Sequence, residues 1–347
     1  MRASLAPWRL GPQRLVGAPL GSSAEVVGHL GAVQSQLHDM SLWAVGRRCD
    51  ATQAEVAAAF EGGGFVRTHV LRPTWHHVLA TDLRDLIEVT GPRVRQAMES
   101  NNRRDALPRE AIERWAALAV SVIREEGPLT RPEVEARLEG EGFARVGNGM
   151  AHVMIEAELT GEIHSGPPRG KQQTYVAAAL PPSRRTPDER LAWLARMYAQ
   201  GHGPITARDL AWWSCLTLGQ AREAIRLAEL APLTLGGADL WAAEPVEEAE
   251  VPAALLLANF DEFISYARSA DDYAGIDGDV GSFLRATGLL FVDGGLAGSW
   301  TRQVGRQSAR VTVTPGRPLD ARLLRAVEAE AERYARFLGV PVELALA

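Results

Sequence analysis

The chain has 347 residues, 46% of them apolar, which is enough for two or three domains with buried cores. No run approaches the roughly 20 apolar residues of a membrane helix, Met1 to Leu20 builds no signal-peptide core, and Cys49 and Cys215 occur singly, which excludes a disulfide framework or a Cys-rich zinc site; a cytoplasmic protein without metal or cofactor is expected. The formal charge of −6 argues against a nucleic-acid partner only until its distribution is read: residues 237–280 hold 11 acids against one Arg, so the remainder carries a net +4, and local charge decides phosphate contact.

Ser22-x-x-Glu25 opens a first helix whose Val26, Val27, Leu30 and Val33 keep a helical spacing. It runs into Gln34-Ser35-Gln36, and an amphipathic helix, Met40 to Arg47, follows, so the Gln pair sits at a helix end or junction. A capped helix, Thr52 to Phe60, is broken by Gly62-Gly63-Gly64; Phe65 to Leu71 reads as a strand stopped by Pro73, and Trp75 to Val89 as a helix. Arg93, Arg95, Arg103, Arg104 and Arg109 dot the connection to the next unit. There, helices from Arg109 to Glu126, Arg131 to Glu139 and about Gly147 to Glu158 precede a hairpin with arms Glu162 to His164 and Gln173 to Ala177. Its tip, Gly166-Pro-Pro-Arg-Gly-Lys171, lies in a stretch without acids from Ile163 to Arg185 and holds the only lysine of the chain. Helices Asp188 to Gln200, Ala207 to Cys215 and Gln220 to Glu229 repeat the order, with strands Leu233 to Leu235 and Leu240 to Ala242.

Beyond Val251 the rhythm changes. Leu255 to Leu257 leads through Asn259-Phe-Asp261-Glu-Phe263 and an acidic, Gly-bearing stretch to strands Leu289 to Val292 and Leu296 to Thr301, joined by Asp293-Gly294-Gly295. A strand Ala309 to Thr314, a long helix Asp320 to Leu338 and a strand Val340 to Leu346 complete a β-rich scaffold.

One pattern recurs at near-equal spacing. Thr52-Gln-Ala-Glu55-Val56, Thr130-Arg-Pro-Glu133-Val134 and Thr206-Ala-Arg-Asp209-Leu210 lie 78 and 76 residues apart, each a capping box before an aliphatic position. With a helix before each, and a second helix then strand-like sequence after each, they predict an α+β fold of three tandem winged-helix motifs. The expected divisions are 1–105, 106–182, 183–250 and a β-rich domain over 251–347. Of the pair His76-His77, one ring is expected buried and one solvated; Trp212-Trp213 reads as core, Asp39 as a helix-start acid, and Val304-Gly305-Arg306 as a second hairpin tip suited to probing DNA.

Several separated stretches, in order, carry a resemblance: Leu30-Gly-Ala-Val-Gln34-Ser-Gln36, Ser41-Leu-Trp43-Ala, Arg67-Thr-His-Val-Leu-Arg72-Pro-Thr-Trp-His76, Gly170-Lys-Gln172-Gln-Thr-Tyr175-Val, Asp209-Leu-Ala-Trp-Trp213, Phe260-Asp261-Glu and Val292-Asp-Gly294 with Gly298-Ser-Trp300. Over almost its whole length the chain resembles the AlkZ-like winged-helix DNA glycosylases, typified by the azinomycin-resistance enzyme. The resemblance implies three tandem winged helices held in a C shape by a β-rich domain, and a catalytic Gln-x-Gln that falls on Gln34 and Gln36. The family usually has an aliphatic residue between the two, where this chain has Ser35. Asp39 and His38 are the expected supporting groups. Arg169, Lys171, Gln172, Gln173, Arg67 and Arg72 are expected to bind DNA, with Arg306 on the probing hairpin. The implied activity is monofunctional excision of bulky N7-alkylguanine adducts or crosslinks from double-stranded DNA by a nucleoid-associated monomer, as self-protection against a genotoxic natural product. The alternative is a non-enzymatic winged-helix regulator.

Overall fold

Several helix starts in this chain are set by side chains that close on their own backbone. The Thr52 and Thr206 hydroxyls accept from the N–H groups of Glu55 and Asp209, and the acids of all three repeats accept in return from the Thr52, Thr130 and Thr206 N–H groups at 2.7, 2.7 and 2.9 Å. Thr186 with Glu189 and Thr217 with Gln220 add two further boxes. Each satisfies backbone donors that the helix itself cannot.

The computed structural model describes residues 5–268 and 280–347; part of the acidic stretch noted above lies outside the described residues. In chain order the elements are α1 (Ala6–Arg9), α2 (Ser23–Leu30), β1 (Val33–Gln34), α3 (His38–Cys49), α4 (Gln53–Glu61), β2 (Val66–His69), β3 (Trp75–Val78) and α5 (Ala80–Arg104). They continue with α6 (Arg109–Glu126), β4 (Leu129–Thr130), α7 (Arg131–Gly140), α8 (Gly149–Leu159), β5 (Ile163–Arg169), β6 (Gln172–Ala177), α9 (Pro187–His202), α10 (Ala207–Ser214), α11 (Leu218–Leu227), β7 (Ala231–Leu235) and β8 (Ala238–Ala242). The last part holds β9 (Ala254–Leu257), a 3₁₀ turn (Glu262–Ile264), α12 (Val280–Ala286), β10 (Gly288–Val292), β11 (Gly295–Val304), β12 (Ala309–Pro315), α13 (Ala321–Leu338) and β13 (Val342–Leu346). No helix among the described residues is long and apolar enough to cross a membrane.

Units α6-α7-α8-β5-β6 and α9-α10-α11-β7-β8 keep the expected winged-helix order. The first unit departs from it in two places. Its capped helix α4 leads directly into β2, so the capping-box threonine of this copy starts the last helix before the wing, whereas in the other copies it starts the next to last. Trp75 to Val78 is the second strand of that wing, paired with β2 from Val66↔Val78 to His69↔Trp75, and the helix begins only at Ala80 and runs to Arg104. The cause is burial: β2 is buried at every position and β3 at all but Trp75, so neither shows the alternation that marks a half-exposed strand.

The first two wings join in one sheet of order β1-β3-β2-β5-β6-β4, through the pair Arg67↔Ser165. A second sheet runs β13-β12-β11-β10-β9, with β12 and β13 parallel, and β7-β8 stands alone. The hydrophobic cores cross the sequence divisions. Trp43 of α3 meets Tyr334 and Phe337 of α13 with ring centroids 5.1 Å apart, and Trp300 of β11 meets Tyr334 at the same distance. A second core joins Val66, Val78 and Leu83 of the first unit to Leu194, Tyr198, Leu210 and Trp213 of the third. Among the described residues, only the second unit has a core of its own, around Ile123, Val134, Val153 and Tyr175.

Candidate active site

The strand β1 is two residues long and pairs with β3 through Val33↔His77 and Gln34↔His76; one further ladder bond, Ser35 N–H to the Trp75 carbonyl at 2.7 Å, carries the pairing to the middle of Gln34-Ser35-Gln36. Successive side chains of an extended segment point to opposite sides. Ser35 is therefore buried, while Gln34 is half-buried and Gln36 exposed. The small side chain suits the inward position, and the outward ones carry the carboxamides.

Both backbone sides of this segment are anchored. Arg67 donates from Nε (3.1 Å) and Nη2 (3.0 Å) to the Ser35 carbonyl while its guanidinium lies over the Trp75 ring, 4.4 Å from the centroid. The Gln34 N–H donates to Glu262 Oε1 at 2.8 Å. Glu262 is fully buried, and its other oxygen accepts from His202 Nε2 (3.1 Å) and Trp213 Nε1 (3.3 Å). Burial alone would push this carboxyl up; the His202 hydrogen bond and charge, the Arg72 charge and the Gln34 N–H outweigh it and hold it down to about 2. A carboxylate so committed is an anchor and not a general base.

The two carboxamides meet at one hydroxyl. Gln34 Nε2 lies 3.5 Å from Thr74 Oγ1, and Thr74 donates to Gln36 Oε1 at 3.1 Å. Arg72 Nη2 stands 3.4 Å from Gln34 Oε1 and 3.5 Å from His76 Nε2, with its guanidinium over the Trp212 ring at 4.2 Å. Burial lowers the Arg72 pKa, opposed by the Glu262 charge.

Of the surrounding histidines, His38, His76 and His77 are neutral. Burial, reinforced by Arg72, pushes His76 down to about 3; burial and Arg67 push His38 down to about 4, against Asp39; and burial with His38, Arg67 and His76 carries His77 well below its ordinary value. Ser41 gives its proton to the His38 carbonyl at 2.7 Å, so His77 Nε2, 2.9 Å away, is the donor to Ser41 Oγ. Both His76 and His77 are fully buried, contrary to the expected split, because β3 is covered on both faces. His69 hydrogen-bonds Glu158 of α8 and packs on Trp75 at 4.3 Å, which ties the second unit to the same hairpin.

The expected site residues separate into three groups. Gln34, Gln36, Arg67 and Arg72 form one contiguous cluster with Thr74, His76 and Glu262, while the His38 ring packs on Phe60 and His77. Asp39 stands exposed in the first turn of α3, ion-paired with Arg302 of β11. Arg67 is 5% exposed, so its guanidinium has little surface to offer a phosphate; it positions the Gln segment instead. On the wing between β5 and β6, Lys171 and Gln172 face solvent. Arg169 is bound to Glu133 and the Pro128 carbonyl, both at 2.7 Å, and Gln173 folds back on Gly166 and Thr174. Arg306 sits at the exposed β11–β12 turn, where the Gly305 N–H donates to the Ser308 carbonyl and Val304 is 53% exposed. Trp213 is core as expected, but Trp212 is 39% exposed under Arg72.

Residue-by-residue reasoning missed Thr74, His76, Trp212 and Glu262. The last had one signal: two adjacent acids, Asp261 and Glu262, flanked by Phe260 and Phe263, where charge among aromatics has to be paired to be buried. Asp261 is likewise buried, against Arg48 at 2.7 Å. A groove of about 230 Å³ between α5, α6 and α8, floored by Met98, Leu107, Ile112 and Ile155, contains none of the Gln-segment residues.

The family model described as DNA glycosylase AlkZ-like matches residues 27–337. Among solved structures, the Streptomyces sahachiroi DNA glycosylase AlkZ superposes with a TM-score of 0.77 at 20% identity, covering 99% of this chain and 100% of that one. No curated protein matches.

Proposed function

This chain belongs to the AlkZ-like DNA glycosylase family and is a DNA glycosylase, and from that premise we propose that it removes bulky N7-alkylguanine adducts or crosslinks by simple hydrolysis, with Gln34 and Gln36 holding the attacking water. Alkylation at N7 makes the base a cation that departs with the C1′–N9 electron pair as a neutral molecule. No strong general acid is then needed. What remains is to place a water below C1′ and to stabilise the oxocarbenium-like transition state. A carboxamide oxygen accepts a hydrogen bond from water without titrating, leaving a water lone pair to form the C1′–O bond as the water proton passes to solvent.

The observation that carries this reading is the shared hydroxyl: two neutral amides joined through Thr74, with no carboxylate among the described residues hydrogen-bonded to either side chain. The neutral histidines nearby add no positive charge to that of Arg72, whose guanidinium already stands at Gln34 Oε1. Gln36 is exposed and Gln34 half-buried, which suits a bulky lesion met on an open surface without insertion into a sealed pocket. Lys171 and Gln172 on the wing, and Arg306 on the β11–β12 turn, are the proposed backbone contacts.

The test is excision of N7-methylguanine and of a bulky N7 adduct from duplex DNA, read as alkali-labile strand breaks. Gln34→Ala and Gln36→Ala should each lose about a hundredfold or more in rate, and borohydride should trap no covalent protein–DNA adduct. Wild-type rates in both variants would remove the assignment.

A further inference from the structure

We propose that Thr74 is a positioning residue for the hydrolysis: its hydroxyl decides which end of each carboxamide faces the nucleophilic water. The proposal rests on the reading of Gln34 and Gln36 as the water-holding pair.

The orientation follows from donor and acceptor chemistry. A guanidinium donates only, so the Gln34 atom facing Arg72 Nη2 at 3.4 Å is the carbonyl oxygen. The other end of that amide, Nε2, then faces Thr74 Oγ1 at 3.5 Å and donates to it. The hydroxyl has one proton, and it goes to Gln36 at 3.1 Å, which therefore presents its oxygen. Donation runs one way, from Arg72 through Gln34 and Thr74 to Gln36. Both amide oxygens keep a lone pair for water. The same logic holds beside the chain: His76 Nδ1 donates to the Thr74 carbonyl at 3.0 Å, leaving Nε2 bare to face Arg72 Nη2.

Two features separate this hydroxyl from an ordinary turn threonine. Such hydroxyls usually bond to nearby backbone, whereas Thr74 makes both contacts to side chains 40 and 38 positions away. Its own backbone is clamped, with its N–H on the Arg72 carbonyl at 2.7 Å and its carbonyl on His76, so the hydroxyl is held before substrate arrives. The 3.4 and 3.5 Å contacts are long, as catalytic contacts often are before the substrate complex forms. Without the hydroxyl, the exposed Gln36 amide is free to turn over and set two donors where the water protons must be accepted.

The experiment uses the full chain and duplex DNA with a single N7-methylguanine, measuring single-turnover excision and equilibrium DNA binding for Thr74→Val and Thr74→Ser, with Gln34→Ala and Gln36→Ala as controls. Thr74→Val should slow excision about tenfold to a hundredfold with DNA affinity and urea midpoint unchanged, and Thr74→Ser should restore the rate. Thr74→Ala replaces the valine variant if that one does not fold. Inactive glutamine variants beside a wild-type rate in Thr74→Val would overturn the proposal and leave the glutamine reading standing. A serine variant as slow as the valine variant would show that the methyl group matters, and would also overturn it. Active glutamine variants would remove both.

Discussion

Replacing Glu262 by Gln tests the central structural claim, that a buried carboxylate from the 3₁₀ turn anchors the Gln segment to the third unit. The substitution keeps shape and removes charge. One Glu262 oxygen accepts from the Gln34 N–H and the other from His202 and Trp213, so an NH₂ on either side faces a buried donor. Leaving such donors unmatched and removing charge-assisted bonds costs about 2–4 kcal/mol. A second route gives a similar figure: a carboxyl held from 4.5 down to about 2 corresponds to about 3 kcal/mol of folding free energy. The sign follows from a folded pKa below the unfolded one. The contribution is fully present above pH 4.5 and is lost as pH falls towards about 2. Urea unfolding of wild type and Glu262→Gln at pH 7, 5 and 4 should show a gap of about 3 kcal/mol that is constant from pH 7 to 5 and narrows below 4.5. A gap under about 0.5 kcal/mol at pH 7, or one that widens on acidification, would refute the anchor.

Arg67→Met should slow excision at least about tenfold with little change in DNA affinity, because the guanidinium serves the Ser35 carbonyl; equal losses in affinity and rate would return it to the phosphate contacts. Lys171→Gln should weaken binding to all duplexes alike and reduce the slope of log K against log salt by about one, while Arg169→Gln does less because Arg169 is already paired with Glu133; anisotropy titrations over a salt series read both. His38, His76 and His77, all depressed by burial, contribute stability that is full above pH 6.5 and declines as pH falls through the range towards 3, so the wild-type urea midpoint should drop between pH 7 and 5 and its proton uptake on unfolding should rise. A midpoint that rises over that interval would contradict their buried, neutral state.

The elements that sequence reasoning located best are those whose signal is local. The capping boxes at Thr52, Thr130 and Thr206 each lie within four residues, and the helix from Arg109 to Glu126 matches its expected bounds. The elements it missed are governed by distant partners. Trp75 to Val78 is a strand because β2 lies on one side and β1 on the other, and burial on both faces erases the period that would announce it. The capped helix of the first copy ends its helical run where the other two go on, a difference that equal spacing of three threonines cannot reveal.

The site is hard to read for a related reason. A hydrolase that needs an acid or base must carry a titratable group, and such a group in an apolar setting is a signal. Here the groups proposed to work are two amides and a hydroxyl, residue types that also populate any polar surface, and by themselves they read as capping or solvent-facing residues. Their charged supports are elsewhere in the chain: Glu262 is 228 residues from Gln34, and Arg67 is 32 from Ser35. Such supports matter because an amide has no charge with which to orient itself. Arg72 fixes one end of Gln34, Thr74 the other, and Glu262 the backbone between the strand and the third unit. Burial keeps His38 and His76 neutral, so they add no positive charge to that of the Arg72 guanidinium already at Gln34. The fold therefore does for these amides what charge does for a titratable side chain: it sets which way Gln34 and Gln36 point, through Arg72, Thr74 and the Glu262 anchor.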